Sequence, residues 1–361
     1  MEPKKTALYE VHKSLGGKIV NFAGYWMPIQ YAGIMQEHKR VRSTVGLFDI
    51  SHMGEFVVRG DSAFAYLQKL TINDVSKLSV NQAHYTAMCY EDGGIVDDLL
   101  LYRFEDYYLM VVNAANIEKD WQWAQQHLSS NVSIENKSDE TSLLALQGPK
   151  AQNVLQKVTS HDLDRIKFYW FTQTVVADVE MNISRTGYTG EPGFELMFPR
   201  EHSEKVWDAV MEAGREYDIE PIGLGARDTL RLEMKMCLYG HDIDQTTNPL
   251  EAGLGWITKL DKGDFIGREA LLKVKEEGKK RKLVAFELEG KAFPRQGYDI
   301  YDNGTKIGEV TSGTFSPMLN KGIGLGYVPI EKSKVGTEIA VEIRGDKKPA
   351  HIIKPPFYKK K

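Results

Sequence analysis

The chain is short of cysteine, of long apolar runs and of surplus charge, and each shortage removes a class of function. Among its 361 residues only Cys89 and Cys237 are cysteines. One pair cannot form the disulfide framework of a secreted domain and suits a reducing compartment. Both sit between apolar neighbours, which predicts buried, unreactive thiols. No apolar stretch approaches the roughly 20 residues of a membrane-spanning helix, so no membrane partner is expected. A formal net charge of -4 leaves no basic surplus, so nucleic acid is not an expected partner either. The nine histidines are scattered, with no H-x-x-x-H or C-x-x-C spacing, and no metal site is expected. Neither a phosphate-binding G-x-x-x-x-G-K-[ST] loop nor a G-x-S-x-G nucleophile elbow occurs. Gly322-Ile323-Gly324-Leu325-Gly326 is no dinucleotide fingerprint, because no helical pattern follows it. The opening residues Met1-Glu2-Pro3-Lys4-Lys5-Thr6 carry no apolar signal core and no Arg/Ser-rich presequence, which predicts a cytoplasmic protein.

What is present is an ordinary globular composition, 42% hydrophobic and 27% charged, long enough for two or three domains. Apolar spacing predicts amphipathic helices over residues 6–21 and 37–45. A strand over 54–58, a helix over 62–70, strands over 84–90, 95–104 and 107–113 and a helix over 114–127 follow, in the order of a ferredoxin-like α+β unit. Trp123 in the last helix reads as a core residue. Strands over 143–146 and 175–179 and helices over 151–158, 203–217 and 230–238 continue the α+β pattern. The charged run Lys273–Lys282 reads as a solvated linker or helix end, with a positive end formed by Lys279, Lys280, Arg281 and Lys282. Beyond it come short strands separated by Gly, Asn and Asp, with a hairpin signal at Asp302-Asn303-Gly304. That texture predicts a small β-barrel or jelly-roll-like domain.

Three segments carry candidate chemistry. The first is Gly93-Gly94-Ile95-Val96-Asp97-Asp98-Leu99-Leu100-Leu101-Tyr102, a Gly-Gly turn feeding a strand. Side chains on a strand alternate between faces, so Asp97 and Asp98 point in opposite directions. At least one carboxylate therefore meets apolar neighbours, which is costly unless it is paired, hydrogen-bonded or used. The second is the loop Ser184-Arg185-Thr186-Gly187-Tyr188-Thr189-Gly190-Glu191-Pro192-Gly193, followed by Phe194-Glu195-Leu196. Its glycines permit close backbone approach to a ligand. Glu195 suits a planar N–H-bearing edge such as a pterin or purine; an exposed hairpin carboxylate is the alternative. The third is Gly223-Leu224-Gly225-Ala226-Arg227-Asp228, a glycine-rich turn opening a helix. There Arg227 either orients a ligand or pairs with a buried acid. Tyr85, Tyr102, Tyr169 and Tyr188 offer apolar faces with polar tips, suited to a flat heteroaromatic ligand or to a core.

These segments, with Asn21-Phe22-Ala23-Gly24-Tyr25-Trp26-Met27-Pro28, Gly46-Leu47-Phe48-Asp49-Ile50-Ser51-His52-Met53-Gly54-Glu55, Val112-Asn113-Ala114-Ala115-Asn116, Gln147-Gly148-Pro149 and Thr311-Ser312-Gly313-Thr314-Phe315-Ser316-Pro317, resemble the aminomethyltransferase, or T-protein, family of the glycine cleavage system. The resemblance runs from about Thr6 to Tyr358. It implies an α+β, three-domain cloverleaf: a discontinuous folate-binding domain over 1–48 and 137–272, a ferredoxin-like domain over 49–136 and a C-terminal β-barrel over 273–361. It implies tetrahydrofolate as co-substrate without a metal, and the lipoylated H-protein as partner. The aminomethyl group carried on that lipoyl arm becomes 5,10-methylenetetrahydrofolate, with release of ammonia and the dihydrolipoyl carrier. By motif position Asp98 resembles the catalytic aspartate, and Glu195 with Arg227 the pterin-contacting pair. Met53, Tyr85, Tyr102, Asn113, Tyr169 and Tyr188 resemble the folate-lining wall, joined by Tyr358. Phe168 stands where some relatives have a second tyrosine.

Two other tasks occur on the same fold. Folate-dependent demethylating oxidases add a flavin domain, and no G-x-G-x-x-G unit precedes Thr6. Folate-binding iron–sulfur assembly factors carry a Lys-Gly-Cys motif, in which neither Cys89 nor Cys237 lies.

Overall fold

The computed structural model describes residues 2–360. The chain divides into two units. One takes residues up to Leu67, Val75–Tyr85 and Leu99–Asp228; the other takes Gln68–Asp74, Thr86–Asp98 and the residues from Thr229 onward.

In the first unit, a six-stranded sheet runs in the order Phe171–Val176, Val179–Ser184, Gly193–Pro199, Thr141–Gln147, Gly46–Asp49, Glu220–Pro221. Period-two alternation places Phe194, Leu196 and Phe198 in a core with Leu144, Leu146, Ile183, Val206, Trp207 and Val210. Glu195 and Met197, at the intervening positions, therefore lie on the opposite face. A second sheet pairs Ile95–Arg103, from Leu100, with Tyr107–Val112, and that strand with Gly54–Arg59, which also pairs with Ser133–Asn136. The strands Gln82–Cys89 and Ile95–Arg103 have residues in both units.

Some local expectations changed. The helix expected over 6–21 spans only Tyr9–Ser14, and Lys18–Phe22 is a strand paired with Tyr25–Gln30. Gly16, at φ 74°, stops the helix, and Ala23-Gly24, at φ 51° and 80°, turns the following hairpin. The strand expected over 175–179 is two strands, because Ala177 and Asp178 adopt φ 49° and 56° and turn Phe171–Val176 back onto Val179–Ser184. The helix expected over 230–238 runs from Leu224 to Glu233 instead. Lys235, at φ 59°, breaks it, and the Met236 N–H closes back on the Arg231 carbonyl. Trp123 is buried, as expected of a core residue.

A polar cluster is buried beside the first unit's main core. Asp49 Oδ2 accepts the Thr6 hydroxyl at 2.8 Å and lies 2.8 Å from His12 Nε2, and Oδ1 accepts the Ser51 N–H. Burial pushes the Asp49 carboxyl upward, but His12 and Ser51 outweigh it and hold it at about 2. A carboxyl held below its unfolded value contributes stability that is present above about pH 4 and lost as pH falls toward 2. The contribution is on the order of 2 kcal/mol. Asp49→Asn should flatten the acid limb of a urea-denaturation series between pH 4 and 2; an unaltered limb would refute this role.

In the second unit, six strands close a barrel in the order Arg281–Leu288, Lys321–Pro329, Thr305–Ser316, Asp299–Asp302, Glu338–Ile343, Asp346–Ile353. Closure removes the exposed edges of the sheet. Inside lie Phe286, Leu288, Ile300, Val310, Val328, Val341 and Ile352. The hairpin expected at Asn303-Gly304 is present, with φ 47° and 84°, between Asp299–Asp302 and Thr305–Ser316. The charged run is the end of the helix Arg268–Glu277, stopped at Gly278, and leads directly into the barrel. Cys89 and Cys237 are buried, and burial raises both thiols, Cys237 to about 12. Among the described residues no helix is long and apolar enough to cross a membrane.

Candidate active site

The first unit holds most of the candidate site residues. Glu195 sits on the strand Gly193–Pro199, opposite Ser184 on one neighbour and Ala145 on the other. Pairing on both sides fixes its backbone. The residue is only 9% exposed, which excludes the exposed-hairpin reading. Thr186 Oγ1 donates to Glu195 Oε2 and lies 3.0 Å from the Ser184 hydroxyl and 3.4 Å from the Tyr102 hydroxyl. Tyr102, Ser184, Thr186 and Glu195 are thus one hydrogen-bonded cluster. Glu195 Oε1 has no partner among the described residues.

Electrostatics tie further residues to this cluster. Burial raises the Glu195 carboxyl above its ordinary value; the Thr186 hydroxyl and the Arg227 charge oppose that shift. Arg227 stacks over the Tyr188 ring, with its guanidinium carbon 4.6 Å from the centroid. Burial, and secondarily Glu195, push the Tyr169 hydroxyl up to about 12. Tyr169 holds a left-handed φ of 63°, its N–H bonded to the Arg185 carbonyl and its carbonyl to the Ala83 N–H. A non-glycine residue in this region costs on the order of 1 kcal/mol and is held there by its surroundings. The Ala83 bond also brings the strand carrying Tyr85 alongside Tyr169. Phe168 is exposed, edge-on to Tyr169.

Met53 follows a turn in which its N–H bonds to the Ile50 carbonyl. The adjacent His52 is buried, and burial with the Arg227 charge pulls its imidazole down to about 4 against the opposing pull of Asp49, so it is neutral at physiological pH. Asn113 ends the strand Tyr107–Val112 and precedes a short 3-10 turn closed by the Asn116 N–H on its carbonyl. Tyr102, Tyr169, Tyr188, Glu195 and Arg227 thus interact directly or electrostatically, whereas Met53 and Asn113 are placed by neighbouring turns.

The glycines need a different explanation from the one their spacing invites. A Cβ at Gly187 would lie 2.1 Å from Gln147 Oε1, and one at Gly193 would lie 2.5 Å from Gln147 Nε2. The loop is therefore glycine-rich to admit the buried Gln147 side chain, which donates to the Thr186 carbonyl and accepts from Thr189. In the third segment a Cβ at Gly223 would lie 2.4 Å from the Ile29 carbonyl, and the Gly223 N–H donates to Glu37 at 2.7 Å. That glycine lets the helix Leu224–Glu233 dock on the strand Tyr25–Gln30. Sequence reading alone missed Gln147, Thr186 and His52 as contributors. Their signals are the Gln-Gly-Pro break, the Ser-Arg-Thr-Gly run and the residue before Met53.

Asp98 and Tyr358 belong to the second unit. The Tyr358 N–H bonds to the Glu233 carbonyl. Asp98 follows a tight turn in which the Gly93 N–H bonds to the Tyr90 carbonyl and Asp92 Oδ1 takes the Gly94 N–H. A Cβ at Gly94 would lie 2.1 Å from the Gln245 carbonyl, so only glycine fits. The Ile95 N–H reaches the carbonyls of Asp244 and Thr247, and the Ile95 carbonyl takes the Tyr239 hydroxyl. The strand is thus pinned just before the two aspartates. Asp97 is fully buried, whereas Asp98 is half-buried.

Residues 8–262 match the family model described as GCVT N-terminal domain, and residues 281–359 match the glycine cleavage T-protein C-terminal barrel domain. The aminomethyltransferase of Halothermothrix orenii is 53% identical, over 98% of this chain and 99% of its own length. That of Chloroherpeton thalassium is 54% identical, over 99% of each. The crystal structure of glycine cleavage system aminomethyltransferase T from Bartonella henselae superposes with a TM-score of 0.92 at 34% identity, covering 98% of both chains.

Proposed function

The chain belongs to the glycine cleavage T-protein family and is an aminomethyltransferase, and from this we propose that it transfers the one-carbon unit from the S-aminomethyl-dihydrolipoyl arm of H-protein to tetrahydrofolate. The products are 5,10-methylenetetrahydrofolate, ammonia and the dihydrolipoyl carrier. The observation that carries the folate assignment is the open Oε1 of the buried Glu195, beside the cluster of Tyr102, Ser184 and Thr186. A buried carboxylate with an unmet acceptor suits the N–H edge of a pterin, and such donors restore the ionised form that burial disfavours. Arg227, stacked on Tyr188, supplies the adjacent positive charge. Met53, Tyr85, Asn113, Tyr169 and Tyr358 complete the proposed wall.

Asp98 is the proposed catalytic residue. The C–N bond of the aminomethyl group breaks, its electron pair and a proton leave with ammonia, and positive charge develops on the carbon. A folate nitrogen bonds to that carbon and releases its proton, which balances the one taken by ammonia; the proton of the second nitrogen balances the one taken by sulfur. The second folate nitrogen then displaces sulfur, which keeps the C–S electron pair and takes up a proton. The Asp98 carboxylate orients the folate N–H and offsets the developing cation.

Glu195→Ala and Arg227→Ala should each weaken tetrahydrofolate binding about tenfold or more while leaving the fold intact, because a buried hydrogen bond to a charged group is worth roughly 1.5–3 kcal/mol. Calorimetric titration with tetrahydrofolate checks this. Unchanged affinity in both variants would remove the pair from the folate site.

A further inference from the structure

A cleft of about 1210 Å³ lies in the first unit, and none of the residues assigned to folate lines it. Two side chains in its wall lack the partners their burial calls for. Glu55 is 1% exposed, and neither of its carboxylate oxygens has a hydrogen-bond partner; Oδ1 of Asn182 is likewise buried and unpartnered. Both backbones are rigid. The Glu55 N–H bonds to the Ser138 hydroxyl and its carbonyl accepts the Lys137 N–H. Asn182 sits on a strand paired on both sides, opposite Gln173 and Met197. These preset atoms are all acceptors, so the missing partner is a donor.

The charges of the wall identify that donor. Its cations are already engaged: Lys137 pairs with Glu135 and Glu140, and Arg200 donates to the carbonyls of Lys5 and Asp139. Asp139 in turn holds Lys4. Glu180, Glu201 and Glu204 line the cleft as exposed carboxylates. Burial, and secondarily Asp139, hold the Glu55 carboxyl well above its ordinary range. No group of three or more His, Cys, Asp or Glu among the described residues is arranged to hold a metal ion. An N–H-bearing organic cation meets these requirements, and the size of the cleft favours an extended one.

We propose that this cleft binds a flexible aliphatic polyamine, with one terminal ammonium held by Glu55 and Asn182 and the remaining ammonium groups running along Glu180, Glu201 and Glu204. The test is calorimetric titration of the full chain with spermidine and with putrescine at constant ionic strength, with sodium and magnesium chloride as controls. Spermidine should bind at one site per chain and more tightly than putrescine. Glu55→Gln keeps the shape and removes the uncompensated acid; it should weaken spermidine roughly tenfold or more and leave tetrahydrofolate affinity unchanged. Asn182→Asp adds a carboxylate and should tighten spermidine binding, which a purely structural role for Asn182 does not predict. Heats equal to those of the salt controls, or a Glu55→Gln chain that titrates like the parent, would overturn the proposal. Should Glu55→Gln alter the fold, the Asn182→Asp titration decides alone: unchanged or weaker spermidine binding would refute the site.

Discussion

Asp98→Asn is expected to lower turnover by roughly 10²–10⁴ while folate affinity and thermal stability change little. The amide keeps the shape of the carboxylate and removes its charge, so the loss falls on the step in which the aminomethyl carbon becomes cationic. The half-buried position of Asp98 fits a group that must meet a ligand, and the pinned turn before it holds that group in place. Asp97→Asn is the matched control. The pleat sends Asp97 to the opposite face, where it is fully buried, so its substitution should act on stability rather than on turnover. Single-turnover kinetics with loaded H-protein, beside thermal melts of both variants, separate these outcomes. Near-normal transfer by Asp98→Asn, or loss of transfer confined to Asp97→Asn, would mean the wrong carboxylate has been assigned.

Arg231→Met is expected to destabilise the second unit by about 3–5 kcal/mol, the usual result of leaving one partner of a buried ion pair uncompensated. Arg231 is 1% exposed; it donates to Asp242 Oδ2 at 2.6 Å, to the Met236 carbonyl at 3.0 Å and to Ser312 Oγ at 2.9 Å. Asp242 also accepts the Leu238 N–H and the Thr311 hydroxyl, and its carbonyl takes the Tyr327 hydroxyl. One guanidinium thus ties the end of the helix Leu224–Glu233 to the loop after it and to the barrel strand Thr305–Ser316. With Arg231 gone, the Asp242 carboxylate stays buried without its countercharge. The double variant Arg231→Met/Asp242→Leu should recover a large part of the loss, since apolar pairs of similar volume replace buried ion pairs at little cost. Urea denaturation reads both. A single variant that loses less than about 1 kcal/mol, or a double variant worse than the sum of its singles, would show that the pair is not the tie.

By itself the sequence determined the α+β class, the barrel at the C-terminal end and the family, because these rest on local signals. Period-two and helical spacings, the Asn303-Gly304 turn and eight ordered motifs are all readable within short windows. The opposite facing of Asp97 and Asp98 was also local, since it follows from the strand pleat alone. What only the tertiary structure decided depends on residues far apart in the chain. Which of the two aspartates is fully covered depended on the layers packed against the strand. The same holds for Glu195, whose burial and Thr186 bond arise from strand pairing and a folded loop. The glycines of that loop looked like ligand-approach positions, yet they make room for Gln147, some forty residues earlier in sequence. The turn at Ala177-Asp178 lacks the usual Gly or Asn, so a hairpin passed for one strand. Glu55 carried no signal at all, because a carboxylate lacks a partner only relative to the residues that folding brings around it.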